Sequence, residues 1–308
     1  MKKTIIYILL ISLVLFGGQC AQKQKAAEGP FVGGAKGVDI AFIAGSPPTE
    51  FSQTDTVPVK VLLKNNGEQD INAEDAQVKV YGIYYPNFGL LDQYKGTSSI
   101  LRGITQFEKE GGEQQVEIGN LKYTQPVTNF EDITLRAKVC YPYETKSQIK
   151  ACLGSLEIKE KGGEQICELT GEKVKSGSVS AAPIQVTSVN QKPYAANQIL
   201  FEITIQNSGK GDVYDPSFGC IDFEDLVKRS DAENIVNVEV NPADVKCSFL
   251  ESESNKGQIR LTTGKKILSC RKTVEATESN FEQNLNINLK YKYIDRASTN
   301  IKIREFTS

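Results

Sequence analysis

The sequence predicts an all-β chain: two antiparallel β-sandwich domains behind an N-terminal signal or anchor segment. Three observations carry that expectation. Near the C-terminus Leu285, Ile287, Leu289, Tyr291 and Tyr293 point one way, and Asn284, Asn286, Asn288, Lys290 and Lys292 point the other. Such alternation marks a strand with one buried and one wet face. A second alternating strand occurs twice. Val57, Val59, Val61 and Leu63 run into Asn65-Asn66-Gly67, and Ile199, Phe201, Ile203 and Ile205 run into Asn207-Ser208-Gly209, aligned without a gap. A repeat of that kind is the sign of two units sharing one plan. Beyond the first twenty residues no sustained helical period occurs, apart from a helical turn or two expected at Asp222–Ser230.

The elements follow in order. Lys2 and Lys3 precede an apolar run from Ile5 to Phe16, and Gly17 and Gly18 end it. Twelve helical residues reach about 18 Å, short of a hydrocarbon core of about 30 Å, so residues 1–19 are expected to be a signal peptide. Residues 20–37 are polar and Gly-containing with little apolar periodicity. They are expected to form a flexible tether of about 20–25 Å root-mean-square reach. Val38, Ile40 and Phe42 then open the first domain, 38–156. Glu157–Gly163 is charged, and Gly171–Ala182 is rich in Ser, Gly and Lys, which places a linker at 157–182. Ile184 and Val186 open the second domain, 183–308, and a polar turn at Asp295–Asn300 is expected to reverse the chain into Ile301 and Ile303. Each Asn-x-Gly end suits a sharp turn, since Asn and Gly tolerate left-handed backbone angles.

Cys20 stands directly after the apolar run, preceded by Gly17-Gly18-Gln19. This arrangement resembles the lipobox of exported lipoproteins, in which the cysteine carries a diacylglyceryl-type lipid and becomes the mature N-terminus. The resemblance implies lipidation of Cys20. The residues also admit cleavage with plain secretion, or an uncleaved anchor. The strands Val57–Gly67 and Ile199–Gly209 resemble the opening strand of CARDB-type and related immunoglobulin-like domains of archaeal and bacterial surface proteins. That resemblance implies tandem immunoglobulin-like sandwiches and an envelope or adhesion context, and it brings no catalytic residues.

Seven cysteines are present, and setting Cys20 aside leaves Cys140, Cys152, Cys167, Cys220, Cys247 and Cys270. An even number behind an export signal reads as three disulfides, and no C-x-x-C pair suggests a metal site. Ile133–Tyr141 and Ile149–Leu153 alternate, so a hairpin centred on Lys146 sets Cys140 opposite Cys152. Cys247 and Cys270 lie on apolar segments joined through a Thr263-Gly264-Lys265 turn and form the second expected pair. Cys167 with Cys220 follows by elimination.

Composition narrows the chemistry. The chain has 308 residues, a net charge of −2, no tryptophan and no histidine. Without a global basic field no nucleic acid partner is expected. Without histidine, Ser-His-Asp and Cys-His catalysis and His-ligated zinc are excluded. Ser147-Gln-Ile-Lys150 matches the S-x-x-K spacing, but on a strand i and i+3 face opposite ways. Thr263-Gly264-Lys265-Lys266 lacks the upstream glycine of a phosphate loop and reads as a turn. Asp70, Glu74 and Asp75, and Asp222, Glu224 and Asp225, are acidic clusters on loops. Solvated loop charge is the plain reading; a calcium site or a two-carboxylate hydrolase is the sharper one. Tyr81, Tyr84, Tyr85, Phe88 and Tyr94 crowd one Pro- and Gly-containing segment. They are the candidate partner-binding residues, since tyrosines on a rigid loop give contact area at low entropy cost; packing under the sandwich is the alternative.

These readings converge on an envelope-anchored, extracytoplasmic structural or adhesion-like binding protein without catalysis, cofactor or metal. It is expected to hold the membrane through a lipid anchor or the N-terminal segment and to meet a protein or glycan partner. The alternatives are an accessory subunit of an envelope transport or secretion complex, and a carboxylate-based hydrolase.

Overall fold

The structure is a computed structural model that describes residues 29–154, 166–195, 197–275 and 279–306. The expected signal peptide, Cys20 and the tether as far as residue 28 lie outside the described residues. The chain is 54% strand and 6% helix, in antiparallel sheets that form an all-β sandwich fold. Among the described residues no helix is long and apolar enough to cross a membrane.

The first half supplies β1 (Val38–Phe42), β2 (Glu50–Ser52), β3 (Val57–Asn65), β4 (Gln77–Tyr81), a helical turn at Tyr85–Phe88, β5 (Lys95–Gly96), β6 (Glu113–Leu121) and β7 (Phe130–Leu153). The second half supplies β8 (Gly171–Glu172), β9 (Ile184–Ala195), β10 (Gln198–Asn207), β11 (Asp212–Tyr214), a 3-10 turn at Cys220–Glu224 and a short helix at Leu226–Ala232. It continues with β12 (Ile235–Asn241), β13 (Lys246–Ser248), β14 (Glu253–Ser254), β15 (Lys256–Arg260), β16 (Lys265–Thr273) and β17 (Phe281–Arg304). The expected helical turns at Asp222–Ser230 fall within the 3-10 turn and the short helix, whose N-cap Asp225 accepts from the Val227 and Lys228 amides;.

Three sheets result: β1-β3-β6, then β14-β13-β16-β10-β9-β8, and a central one ordered β15-β12-β17-β7-β4-β5 with β2 and β11 also on β17. β7 and β17 are 24 residues each and pair antiparallel from Phe130↔Arg304 to Leu153↔Phe281. Pro142 lies opposite Lys292 near the middle. β4 joins β7 before that point, along Arg136–Cys140, while β12 joins β17 along Asn286–Lys290. β2 pairs with β17 at its far end, Lys302–Arg304. Residues after Pro142 in β7 therefore lie beside second-half strands, and residues after Ile294 in β17, beyond the pairing with β11, lie beside first-half strands. Each half finishes in the other's sheet.

This corrects the hairpin expected at Lys146 and the reversal expected at Asp295–Asn300. In β7 the segment Glu144–Gln148 is polar but contains no Gly, Pro, Asn or Asp to turn on;. It stays extended because its inward polar groups find partners: Thr145 Oγ1 donates to the Ile184 carbonyl at 2.6 Å and lies 3.0 Å from the Tyr291 hydroxyl. In β17 the half-buried Asp295, Ala297 and Thr299 keep the inward register that Ile301 and Ile303 resume. The central sheet is thus built from strands of both expected segments, 38–156 and 183–308. Part of the expected linker is packed as well: the Gln148 amide donates to the Ser178 carbonyl and the Ser180 amide to the Lys146 carbonyl, both at 2.8 Å.

The inward side chains form one apolar cluster drawn from all three sheets, including Leu63, Tyr141, Phe201 and Leu289. Each fully buried side chain of this size contributes about 1.5–3 kcal/mol. The disulfides follow the topology. Cys140 and Cys152 both sit on β7, where twelve residues of strand separate them by about 40 Å, so the expected bridge between them does not form. Cys140 bonds Cys220, Cys152 bonds Cys167, and Cys247 bonds Cys270. Elimination therefore misassigned Cys167 and Cys220, whereas Cys247 and Cys270 face each other across β13 and β16. Three disulfides point to an oxidising, extracytoplasmic compartment;.

Candidate functional site

The two halves meet at a seam built from two Tyr-x-Tyr segments, Tyr141-Pro142-Tyr143 and Tyr291-Lys292-Tyr293. Alternation turns all four rings inward around the Pro142–Lys292 pair, with Tyr141 opposite Tyr293 and Tyr143 opposite Tyr291. Ring centroids lie 5.5 Å apart for Tyr141–Tyr143 and 5.9 Å for Tyr141–Tyr293;. Buried phenols need partners, and the repeat supplies them twice. Tyr143 donates to Asn65 Oδ1 and Tyr293 to Asn207 Oδ1, each at 3.1 Å. The Val38 amide donates to the Tyr141 hydroxyl at 3.1 Å and the Ile184 amide to the Tyr291 hydroxyl at 3.3 Å. A Cβ on Gly67 would collide with the Tyr143 hydroxyl, and one on Gly209 with the Tyr293 hydroxyl. These glycines are required for close approach. Neither they nor the asparagines adopt positive φ, so the left-handed turn expected of Asn-x-Gly is not the reason for the motif.

A second junction clasps the halves from outside. Cys220 bonds Cys140, and the turn that follows it carries Glu224 onto β4 and β7. Glu224 accepts from Lys138 Nζ at 2.6 Å, the Tyr94 hydroxyl at 2.8 Å and Lys79 Nζ at 3.1 Å. Burial alone would raise its pKa, but hydrogen bonds from Lys138, Tyr94 and Lys79 prevail and hold the carboxyl at about 2;. Lys79 also contacts Asp92 at 2.5 Å. Beside this cluster Tyr214 stacks on Phe223 with centroids 4.5 Å apart, in a small core that includes Cys140 and Cys220.

The structure brings Tyr81 and Tyr94 together around Lys138, whose Nζ lies 5.5 Å and 5.6 Å from their ring centres;. It assigns most of the aromatic segment to packing. Tyr85 donates to the Val80 carbonyl at 2.6 Å, and Phe88 is buried against Tyr123. Of the five candidates only Tyr84 is broadly exposed, at 69%. The acidic residues are also engaged: Asp70 accepts from the Gly103 amide, Asp75 from Asn72, and Asp222 from Lys228 and the Gly219 amide. Among the described residues no group of three metal-ligating side chains occurs. Thr263 and Gly264, both at positive φ, form the expected tight turn, although it joins strands of different sheets. Ser147 is buried facing inward and Lys150 is exposed on the other side, so the S-x-x-K pair does not meet.

Sequence reasoning missed the roles of Lys79 and Lys138, for which no local signal exists. Nor did it match Tyr141-Pro142-Tyr143 with Tyr291-Lys292-Tyr293, a usable signal of the seam. No family model and no curated protein matches the chain. Among solved structures the secreted serine protease VesC from Vibrio cholerae aligns over 88% of this chain and 52% of that one, at 10% identity and a TM-score of 0.20. The chain thus spans about half the length of that structure, and a likeness this distant carries no argument about fold or activity.

Proposed function

We propose that the chain is an extracytoplasmic structural or binding protein, held at the cell envelope by its N-terminal segment, with lipidation at Cys20, and without catalysis. The observation that supports this best is the interlocked frame itself. Both long strands serve both halves, and three disulfides reinforce a scaffold of fixed shape. Rigid presentation of a surface is what a binding scaffold needs. The carboxylate hydrolase draws no support, because Glu224, the most strongly perturbed acid, is spent on two lysines and a tyrosine.

Fractionation of cells expressing the full chain and Cys20→Ser tests the reading. Membrane retention with a lipidated N-terminus in the first, and release in the second, is the expected result. Recovery of both from the cytoplasm with reduced cysteines would defeat it.

A further inference from the structure

Three concavities line up across the outer face of the central sheet. The first, about 280 Å³, lies over β15, β12 and β17, where Asn237, Glu239, Lys256, Gln258, Asn288 and Lys290 converge. Lys290 also lines the second, about 320 Å³, together with Glu144, Pro216 and the loop that begins at Gln69. Glu144 and Gln69 in turn line the third, about 430 Å³, which ends at Phe31 and Phe107. The shared walls make one groove that crosses the strands. Its floor is set by register: Gln258 faces Asn237, Asn237 faces Lys290, and Lys290 faces Glu144. At about 4.8 Å per strand that row alone spans about 14 Å.

Part of the groove's polar chemistry is taken within the fold, Gln258 donating to Asp215 at 2.9 Å and Glu239 accepting from Asn241 at 3.1 Å, and part is unspent. The side chains of Asn237, Lys256 and Asn288 have no hydrogen-bond or ionic partner among the described residues, and Oδ1 of Asn237 is covered and unpartnered. Lys290 reaches Glu144 only at 4.0 Å. Phe107 is 98% exposed at the far end, an apolar face with nothing of the chain against it.

We propose that this groove binds a linear, uncharged glycan; the inference rests on the reading of the chain as a surface binding protein and names its ligand class. Beneath the groove β12, β17 and β7 have neighbours on both sides, and on the edge strand β15 the Gln258 carbonyl is taken by the Leu250 amide, so little main chain is open there for an extended peptide. Recognition falls to side chains. An amide offers a donor and an acceptor at fixed separation, which matches hydroxyl groups that both donate and accept. Lys146, Lys256 and Lys290 line the groove beside Glu144 and Glu239, while Glu68 and Asp70 accept from backbone amides and Asp75 from Asn72, so no surplus of one sign is left to select a charged ligand. The exposed Phe107 ring suits the C–H face of a sugar ring.

Titration calorimetry of the detergent-solubilised full chain against the hexasaccharides of glucose, mannose and N-acetylglucosamine tests this, with acidic and basic hexapeptides alongside. At least one neutral hexasaccharide should bind. Its affinity should fall tenfold or more in Asn288→Ala and in Phe107→Ala, and stay unchanged in Tyr194→Ala, an exposed aromatic on β9 in another sheet. All three positions are on the surface, and unchanged melting temperatures will show that the variants fold. Absence of binding to every hexasaccharide, equal binding by the groove variants, or tighter binding of a peptide would overturn the proposal. A chain that is exported and anchored but ignores sugars would refute the groove alone, since location is read separately by fractionation.

Discussion

The Tyr143 hydroxyl donates to Oδ1 of Asn65 at 3.1 Å, and this bond joins the end of β3 to the middle of the longest strand in the first half. Asn65 is fully buried. Its Nδ2 donates to the Gln69 carbonyl at 2.7 Å and the Leu101 carbonyl at 3.1 Å, and its Oδ1 also accepts from the Gly67 amide at 3.2 Å. Tyr293 and Asn207 repeat the bond at the same distance. The asparagine acts as a connector with every polar atom used.

Asn65→Ala should therefore destabilise the fold more than Tyr143→Phe. The alanine leaves the Gln69 carbonyl, the Gly67 amide and the Tyr143 phenol without their partner, for a loss of about 2–4 kcal/mol, whereas the phenylalanine removes one hydroxyl, a donor to Asn65 and a long acceptor for the Gln69 amide, and loses about 1 kcal/mol;. Urea denaturation measures both, and the double variant should lose less than the sum because the two changes share a bond. Strict additivity would show that the bond does not form.

Gly209→Ala should also destabilise, by about 1–3 kcal/mol, since its Cβ has no room beside Tyr293;. Gly264→Ala is the contrast. Nothing lies within 4 Å of its Cβ position, but its φ of 76° strains a side chain, so the expected loss is about 1 kcal/mol. Tyr293→Phe should recover part of the first loss and none of the second in thermal melts.

Peptide mapping without reduction should find Cys140 joined to Cys220. The chain-entropy value for a separation of 80 residues is about 4.5 kcal/mol;. Residual order in the unfolded chain should bring the loss in Cys140→Ala, Cys220→Ala to about 2–3 kcal/mol. A fragment joining Cys140 to Cys152 would overturn the single long strand.

Acid should loosen the outer clasp. The Glu224 carboxyl is held at about 2 against an ordinary 4.5. Its contribution is present in full above about pH 4.5 and disappears as pH falls toward 2, because the unfolded chain takes up the proton first. With 35% of the side chain exposed, screening limits the effect to about 1–2 kcal/mol. Glu224→Gln should flatten the stability profile between those pH values, and an unchanged slope would assign the acid sensitivity elsewhere.

Much of the strand content was legible because burial on one face writes a period of two, as at Val57–Leu63 and Leu285–Tyr293. The repeat was legible because both copies keep Asn-x-Gly. The run through Glu144–Gln148 was not, since a polar pentapeptide inside a strand looks like a loop until Ile184 and Tyr291 are known to meet Thr145. The clasp was not legible either. Lys79, Lys138 and Glu224 are joined only by the fold, and a lysine on a strand carries no mark of its distant partner.

The exchange of β7 and β17 predicts how the chain comes apart. Residues 142–153 lie with the second half, where Gln191 donates to the Cys152 carbonyl at 2.5 Å and the Cys152 amide donates back at 3.1 Å. Residues 295–304 lie with the first, where Arg304 pairs with Glu50 and the Lys302 amide donates to the Thr49 carbonyl at 2.8 Å. Cutting an engineered protease site placed between Leu156 and Gly163 leaves every one of these contacts in place. The two fragments should co-elute in size-exclusion chromatography even after Cys140–Cys220 and Cys152–Cys167 are reduced, and should separate only in denaturant. Two independent sandwiches joined by a linker would part on reduction. Truncation after Lys292 gives the complementary result: it removes the strand partner of β2 and of Phe130–Tyr141 in β7, so the first half should lose protection from hydrogen exchange before β9 and β10 do. Earlier loss in β9 and β10 would place the end of the chain in the wrong half.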